Sequence, residues 1–76
     1  MNGNHGEPVE VWLRQGKPAR FGWRGRMYTV LFALDMRPAS EQECWQVEAT
    51  PVRTVPPATY ELCRDTDTGR WSLSRA

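Results

Sequence analysis

The chain has 76 residues, with ten basic and nine acidic side chains and a formal net charge of +1. A chain of this length forms one domain and buries only about 60% of the surface that its unfolded form exposes, so its stability margin is small. The near-neutral charge argues against the strong uniform field of a dedicated nucleic-acid coat protein. The small core argues against an enclosed substrate chamber.

The N-terminal end is predicted to be a tail. Residues 1–8 are polar and rich in glycine, which predicts disorder, and residues 9–76 are predicted to form a single small β domain. Apolar and polar side chains alternate over residues 9–14, and this period of two is typical of a half-buried strand. If Val11 faces the core, then Trp12 points outward.

Two strands follow, joined by tight turns. A turn at Gln15-Gly16 leads to a strand over residues 18–23, and Gly25 is predicted to turn the chain again with a positive φ. The next strand covers residues 26–35. Because both of its faces are apolar towards its end, it is predicted to be a central strand that is covered on both sides.

The second half of the chain predicts three more strands. Residues 36–42 are predicted to be a loop, although Ser40 and Glu43 are spaced to cap a single helical turn. The strands are predicted over residues 44–49, 60–64 and 70–74, with a proline-containing connection over residues 50–59.

Six short strands with tight turns predict an all-β fold. We expect a small antiparallel meander that curls into an SH3-like, partly open barrel. A flat open sheet, with edges protected by arginine and proline, is the alternative. The predicted interior is aromatic-rich and consists of Phe21, Trp23, Tyr28, Trp45, Leu62 and Trp71.

The chemistry-bearing residues predict neither an enzyme nor a cofactor or metal site. The single histidine, His5, lies in the predicted tail, and no nucleophile is paired with a base. Cys44 and Cys63 are predicted to be free thiols rather than a disulfide, because two distant cysteines in a reducing compartment stay reduced. The acidic string over residues 65–69 begins like a calcium loop but lacks the closing glutamate, so it predicts a hairpin turn stabilised by an aspartate side chain.

No apolar run is long enough to span a membrane and no signal peptide is apparent, so a cytoplasmic location without membrane association is expected.

Basic charge is concentrated in one stretch. Residues 14–37 contain six basic side chains and one acidic one. Arginine next to aromatic rings predicts a surface for a protein partner or for single-stranded nucleic acid. The alternative interpretation is a merely solvated strand face. The candidate interaction residues are Trp12, Arg14, Arg20, Arg24, Arg26 and Arg37.

Four strings in the chain carry a resemblance to a known family. They lie at residues 18–30, 45–49, 60–65 and 68–73. Together they resemble a small uncharacterised bacterial domain family that occurs alone and at the C-terminus of ImuB-like homologues of Y-family DNA polymerases. The resemblance implies no catalytic residues and only an association with DNA damage tolerance.

The expected function is therefore that of a non-catalytic protein-interaction or accessory module, with a weak nucleic-acid-binding barrel as the alternative. The partner is expected to be another protein, and the chain is expected to be a monomer or an edge-paired dimer.

Overall fold

The computed structural model describes residues 6–35, 42–52 and 54–75, which form an all-β domain. Its strands are β1 (Glu7–Arg14), β2 (Lys17–Trp23), β3 (Arg26–Asp35), β4 (Gln42–Thr50), β5 (Ala58–Asp65) and β6 (Trp71–Arg75).

The strands form one closed antiparallel barrel. Each strand pairs with the next in chain order, and β1 pairs with β6 to close the sheet. The predicted meander barrel of the SH3-like kind is therefore confirmed, and the flat open sheet is wrong. Closure removes most of the unpaired strand edges that a six-stranded open sheet would expose.

Hairpin turns explain how so short a chain closes. Gln15 and Gly16 have φ values of 54° and 81°, and Arg24 and Gly25 have values of 53° and 76°. Two successive residues with positive φ are typical of a type I′ turn, whose twist matches that of the flanking strands. The predicted role of Gly25 is confirmed.

The β5–β6 turn is held by the side chain of Asp65. Its Oδ1 atom accepts hydrogen bonds from the backbone N–H groups of Asp67 (2.8 Å) and Thr68 (3.1 Å). This is the aspartate-stabilised turn that the sequence predicts.

Aromatic side chains fill the barrel. The rings of Phe21 and Tyr28 stack with their centroids 5.0 Å apart, and Tyr60 packs edge-on against Phe21 at 5.8 Å. Trp45 and Trp71 are partly buried and pack against the core. The buried core consists of Phe21, Trp23, Tyr28, Val47, Ala49, Tyr60, Leu62 and Leu73.

The first strand starts earlier than predicted. The sequence predicts a tail that includes Glu7 and Pro8, but these residues belong to β1 and lie opposite Leu73 and Ser72 of β6. A Cβ atom added to Gly6 would lie 2.9 Å from the Ser72 Cβ atom, so glycine is required for this approach. Residues 1–5, with His5, lie outside the described residues.

The predicted loop at residues 36–42 is mostly untested. Residues 36–41, which include Arg37 and the predicted cap at Ser40, lie outside the described residues. Gln42 and Glu43 already belong to β4.

The prediction that β3 is covered on both sides is wrong. A bulge places Val30 opposite Ala49 but Phe32 opposite Glu48, so Leu31 is the extra residue. One inserted residue exchanges the two faces of a strand. Ala33 therefore packs on the core, while Phe32 is exposed to solvent.

The prediction of free thiols is also wrong. Cys44 and Cys63 lie opposite each other on β4 and β5, and their sulfur atoms form a disulfide. A separation of 19 residues in the chain becomes a Cα–Cα distance of 4.1 Å. Register between two neighbouring strands brings the cysteines together, and distance along the chain does not reveal it.

Candidate protein-binding groove

The barrel opens into a groove where β2 and β3 separate. These strands pair only between Arg20 opposite Thr29 and Trp23 opposite Arg26. Beyond that point, residues 17–19 of β2 and 30–35 of β3 do not pair with each other. The resulting open space has a volume of about 820 Å³ and lies between residues 12–15 and 17–20 on one side and residues 29–33 on the other. We call it the seam groove.

Large apolar side chains are exposed in the seam groove. Leu31 and Phe32 are each 58% exposed, Leu13 is 46% exposed and Trp12 is 40% exposed. These are four of the eight large apolar side chains that are exposed among the described residues, and they line one groove. A concentration of this kind makes the groove a candidate interaction surface, whereas apolar residues exposed singly are ordinary.

Backbone edges are also unpaired at the seam groove. Residues 32–35 of β3 pair with β4 on one edge, but no strand among the described residues pairs with them on the other. Lys17 and Pro18 of β2 likewise pair only with β1, and Ala19 lies at an irregularity in that pairing. The groove therefore offers both apolar side chains and backbone hydrogen-bonding groups.

The charged side chains that line the seam groove are all cationic. They belong to Arg14, Lys17 and Arg20, and no carboxylate lines the groove. The Arg20 guanidinium carbon lies 5.7 Å from the centroid of the Trp12 ring, which is within the range of a cation–π interaction. Three of the predicted interaction residues, Trp12, Arg14 and Arg20, thus line the seam groove together.

Arg24 is predicted to be an interaction residue, but it forms an ion pair within the protein, with Glu7. Its Nε and Nη2 atoms both donate to the Glu7 carboxylate, which also accepts a hydrogen bond from the Trp23 indole at 2.9 Å. The hydrogen bond from Arg24 is the main cause that lowers the pKa of Glu7, with a smaller contribution from Trp23. The same pairing raises the pKa of Arg24. Arg24 therefore ties the β2–β3 turn to the start of β1.

Arg26 lies away from the seam groove. It lines a smaller depression of about 410 Å³ beside the β2–β3 turn, together with Arg24, Arg75, Tyr28 and Tyr60. Arg37 lies outside the described residues. The predicted arginine face is therefore split between two places on the surface.

One group of side chains has the composition of a metal site. Within the described ranges, Cys44, Glu61 and Cys63 place one ligand atom each within 4.8 Å of one another. The disulfide engages both sulfur atoms, and a thiolate is the form that binds metal. The group cannot act as a Cys₂Glu ligand set while the disulfide is intact.

Comparison with known proteins supplies no relative: no family model, no curated protein and no solved structure matches this chain. No helix among the described residues is long and apolar enough to cross a membrane.

Sequence reasoning missed Leu13, Leu31 and Phe32 as site residues. The alternation along β1 predicts Leu13 on the same inner face as Val11, and the apolar end of β3 is predicted to be covered on both faces. One signal was present: a strand with two apolar faces needs a second layer to cover it, and no helix is predicted in this chain. The extra apolar face was therefore available for a partner.

Proposed function

We propose that this protein is a non-catalytic interaction module that binds another protein through the seam groove. The observation that carries the proposal is the exposure of Leu31 and Phe32 beside Trp12 in one groove. Large aromatic and aliphatic anchors that sit in a groove supply most of the affinity of protein interfaces.

The exposed side chains contribute little to the barrel itself. A side chain that stays 58% exposed gains less than half of the free energy that full burial provides. In a chain of 76 residues, apolar surface left in solvent favours aggregation and contributes little to folding. A binding partner that covers the groove gives these residues a function.

The charge distribution favours a protein over a nucleic acid. Arg24 is engaged by Glu7, and Arg26 lies beside the other depression, so neither extends the positive charge of the groove. The cations that remain there are Arg14, Lys17 and Arg20, on a protein of net charge +1. Proteins that hold single strands rely on longer cationic tracks with several stacking rings.

The family resemblance suggests where a partner acts. We propose an accessory role in DNA damage tolerance, because the similar domains include some at the C-terminus of ImuB-like polymerase homologues. This association carries less weight than the groove, since a shared fold does not establish a shared function.

The proposal is tested with a library of short peptides, displayed and selected against the folded protein. We expect selected peptides to lose about tenfold or more in affinity for Phe32→Ala, because truncating a hot-spot anchor costs about 2 kcal/mol or more. Met27→Ala is the matched control, since Met27 lies on the same strand, is 43% exposed and does not line the groove.

Two outcomes would contradict the proposal. One is a set of binders whose affinity falls equally in Met27→Ala and Phe32→Ala. The other is binding of a single-stranded oligonucleotide that is tighter than any peptide and weakens with salt by a slope near −0.7 per phosphate contacted.

A further inference from the structure

We propose that the seam groove takes an extended, acidic segment of the partner, which adds to the edge of β3 as a strand. This inference rests on the proposed function and specifies the chemistry of the partner. Three features support it: an unpaired strand edge, apolar side chains beside that edge, and three cationic side chains that line the groove.

The strand edge determines the conformation of the partner. Residues 32–35 of β3 pair with β4 on one edge only, and no described strand pairs with them on the other, because the pairing of β2 with β3 ends at Arg20 and Thr29. Strands lie about 4.8 Å apart when they pair, so an extended segment fits beside β3 by making backbone hydrogen bonds. A helix satisfies its own backbone groups and leaves those of β3 unpaired.

The apolar side chains determine the pattern of the partner. Leu31 and Phe32 flank the edge on β3, and Trp12 and Leu13 lie across the groove. Side chains of an added strand alternate between its two faces. We therefore expect every second residue of the partner segment to be apolar and to contact these side chains.

The positive lining determines the charge of the partner. Arg14, Lys17 and Arg20 border the groove without a carboxylate among its lining residues. Glutamate or aspartate among the side chains of the segment that lie nearest to these cations pairs with them, and complementary charge steers association and excludes neutral or basic competitors.

The same charges argue against a second copy of this chain as the occupant. A twofold interface places the same surface patch of each copy against the other. Two seam grooves that met in this way would bring six cations together, and like charges at an interface are unfavourable. An acidic partner removes this repulsion.

The test uses a blocked peptide of about eight residues in which glutamate and valine alternate. Three matched peptides accompany it: one with lysine in place of glutamate, one with the same composition in two blocks, and one with proline in place of alternate valines. Affinity is measured by calorimetry at low and physiological salt, and amide hydrogen exchange is followed across β3.

We expect the alternating acidic peptide to bind most tightly and to slow amide exchange in residues 31–35. The proline peptide should bind weakly, because it cannot donate backbone hydrogen bonds from those positions. In the variant Arg14→Glu/Arg20→Glu, the acidic peptide should lose about tenfold in affinity and the lysine peptide should gain.

Several results would overturn this inference and leave the proposed function intact. They include display-selected peptides that need Phe32 but bind as helices, ones that carry no acidic residues, and equal binding of the block and alternating peptides. Self-association that covers the groove would overturn both the inference and the proposed binding of a different protein. If no peptide, designed or selected, responds to Phe32→Ala, both the inference and the proposed function fall.

Discussion

Phe32 and Phe21 offer a direct comparison between an exposed side chain of the proposed binding groove and a buried side chain of the core. Phe21 on β2 is fully buried, whereas Phe32 on β3 is 58% exposed. We expect Phe21→Ala to lower the free energy of unfolding by about 3–5 kcal/mol, the range for a large side chain removed from a packed core.

The expected cost of Phe32→Ala follows from its exposure. Complete burial of a phenylalanine contributes about 1.5–3 kcal/mol, and Phe32 buries roughly two-fifths of its surface, so its removal should cost about 1 kcal/mol. Urea unfolding monitored by tryptophan fluorescence measures both variants under the same conditions, and an unchanged m-value shows that the denatured states are comparable.

One result would contradict the expected difference in stability between Phe21→Ala and Phe32→Ala. A loss in Phe32→Ala as large as that in Phe21→Ala would mean that Phe32 belongs to the core, and the seam groove would then not be an accessible apolar surface. A cost near 1 kcal/mol together with lost peptide binding supports a side chain that acts mainly in an interface.

Three further predictions concern the barrel itself. Replacing Cys44 and Cys63 with serine, or reducing them, should lower the free energy of unfolding by about 3 kcal/mol, because a cross-link spanning 19 residues restricts the unfolded chain; chemical unfolding with and without reductant measures it. The pKa of Glu7 is lowered on folding from its ordinary value of 4.5, so its stabilising effect is present above that pH and is lost as the pH falls through the folded value. The difference in melting temperature between wild type and Glu7→Gln should therefore shrink on acidification from neutral pH. Gly25→Ala should lower the free energy of unfolding by about 1–2 kcal/mol, because the φ of Gly25 is +76°. Gly22→Ala should lower it by less, because the added Cβ atom would lie 3.8 Å from the Trp12 Cζ3 atom, which is an ordinary van der Waals contact.

Each of the three has an outcome that contradicts it. Equal stability with and without reductant would show that the cysteines do not cross-link β4 and β5. A pH-independent difference between wild type and Glu7→Gln would show that the carboxylate charge is not what stabilises this contact. Equal losses in the two glycine variants would remove the type I′ turn as the reason for Gly25.

Most of the fold follows from local patterns in the sequence. Alternation located all six strands, and β3 was predicted with the bounds that the structure gives it. Turn glycines and the Asp65 turn were also predictable, because positive φ and side-chain hydrogen bonding depend on a few neighbouring residues. The aromatic interior was predictable from the alternation of apolar and polar side chains along the strands, although Trp45 and Trp71 are only partly buried.

The features that were missed depend on contacts between strands. The bulge at Leu31 is set by the pairing of β3 with β4, and a shift by one residue exchanges the two faces of the strand. The disulfide likewise depends on the register of β4 and β5. Glu7 was assigned to a tail because its partners, Trp23 and Arg24, lie 16 and 17 residues away in the chain.

The candidate site was predicted in part. Trp12, Arg14 and Arg20 do meet at the seam groove, because the alternation of β1 and the first hairpin turn place them together. Arg24 and Arg26 were grouped with them through closeness in sequence alone, and the hairpin carries them to the opposite end of β2.

The central claim is that a protein segment binds at the seam groove, and an amide chemical-shift titration of the isotope-labelled protein tests it most directly. With the tightest selected peptide, we expect the largest shifts in residues 12–20 and 29–33. The largest shifts around Arg26, Tyr60 and Arg75 instead would place binding at the other depression and contradict the account.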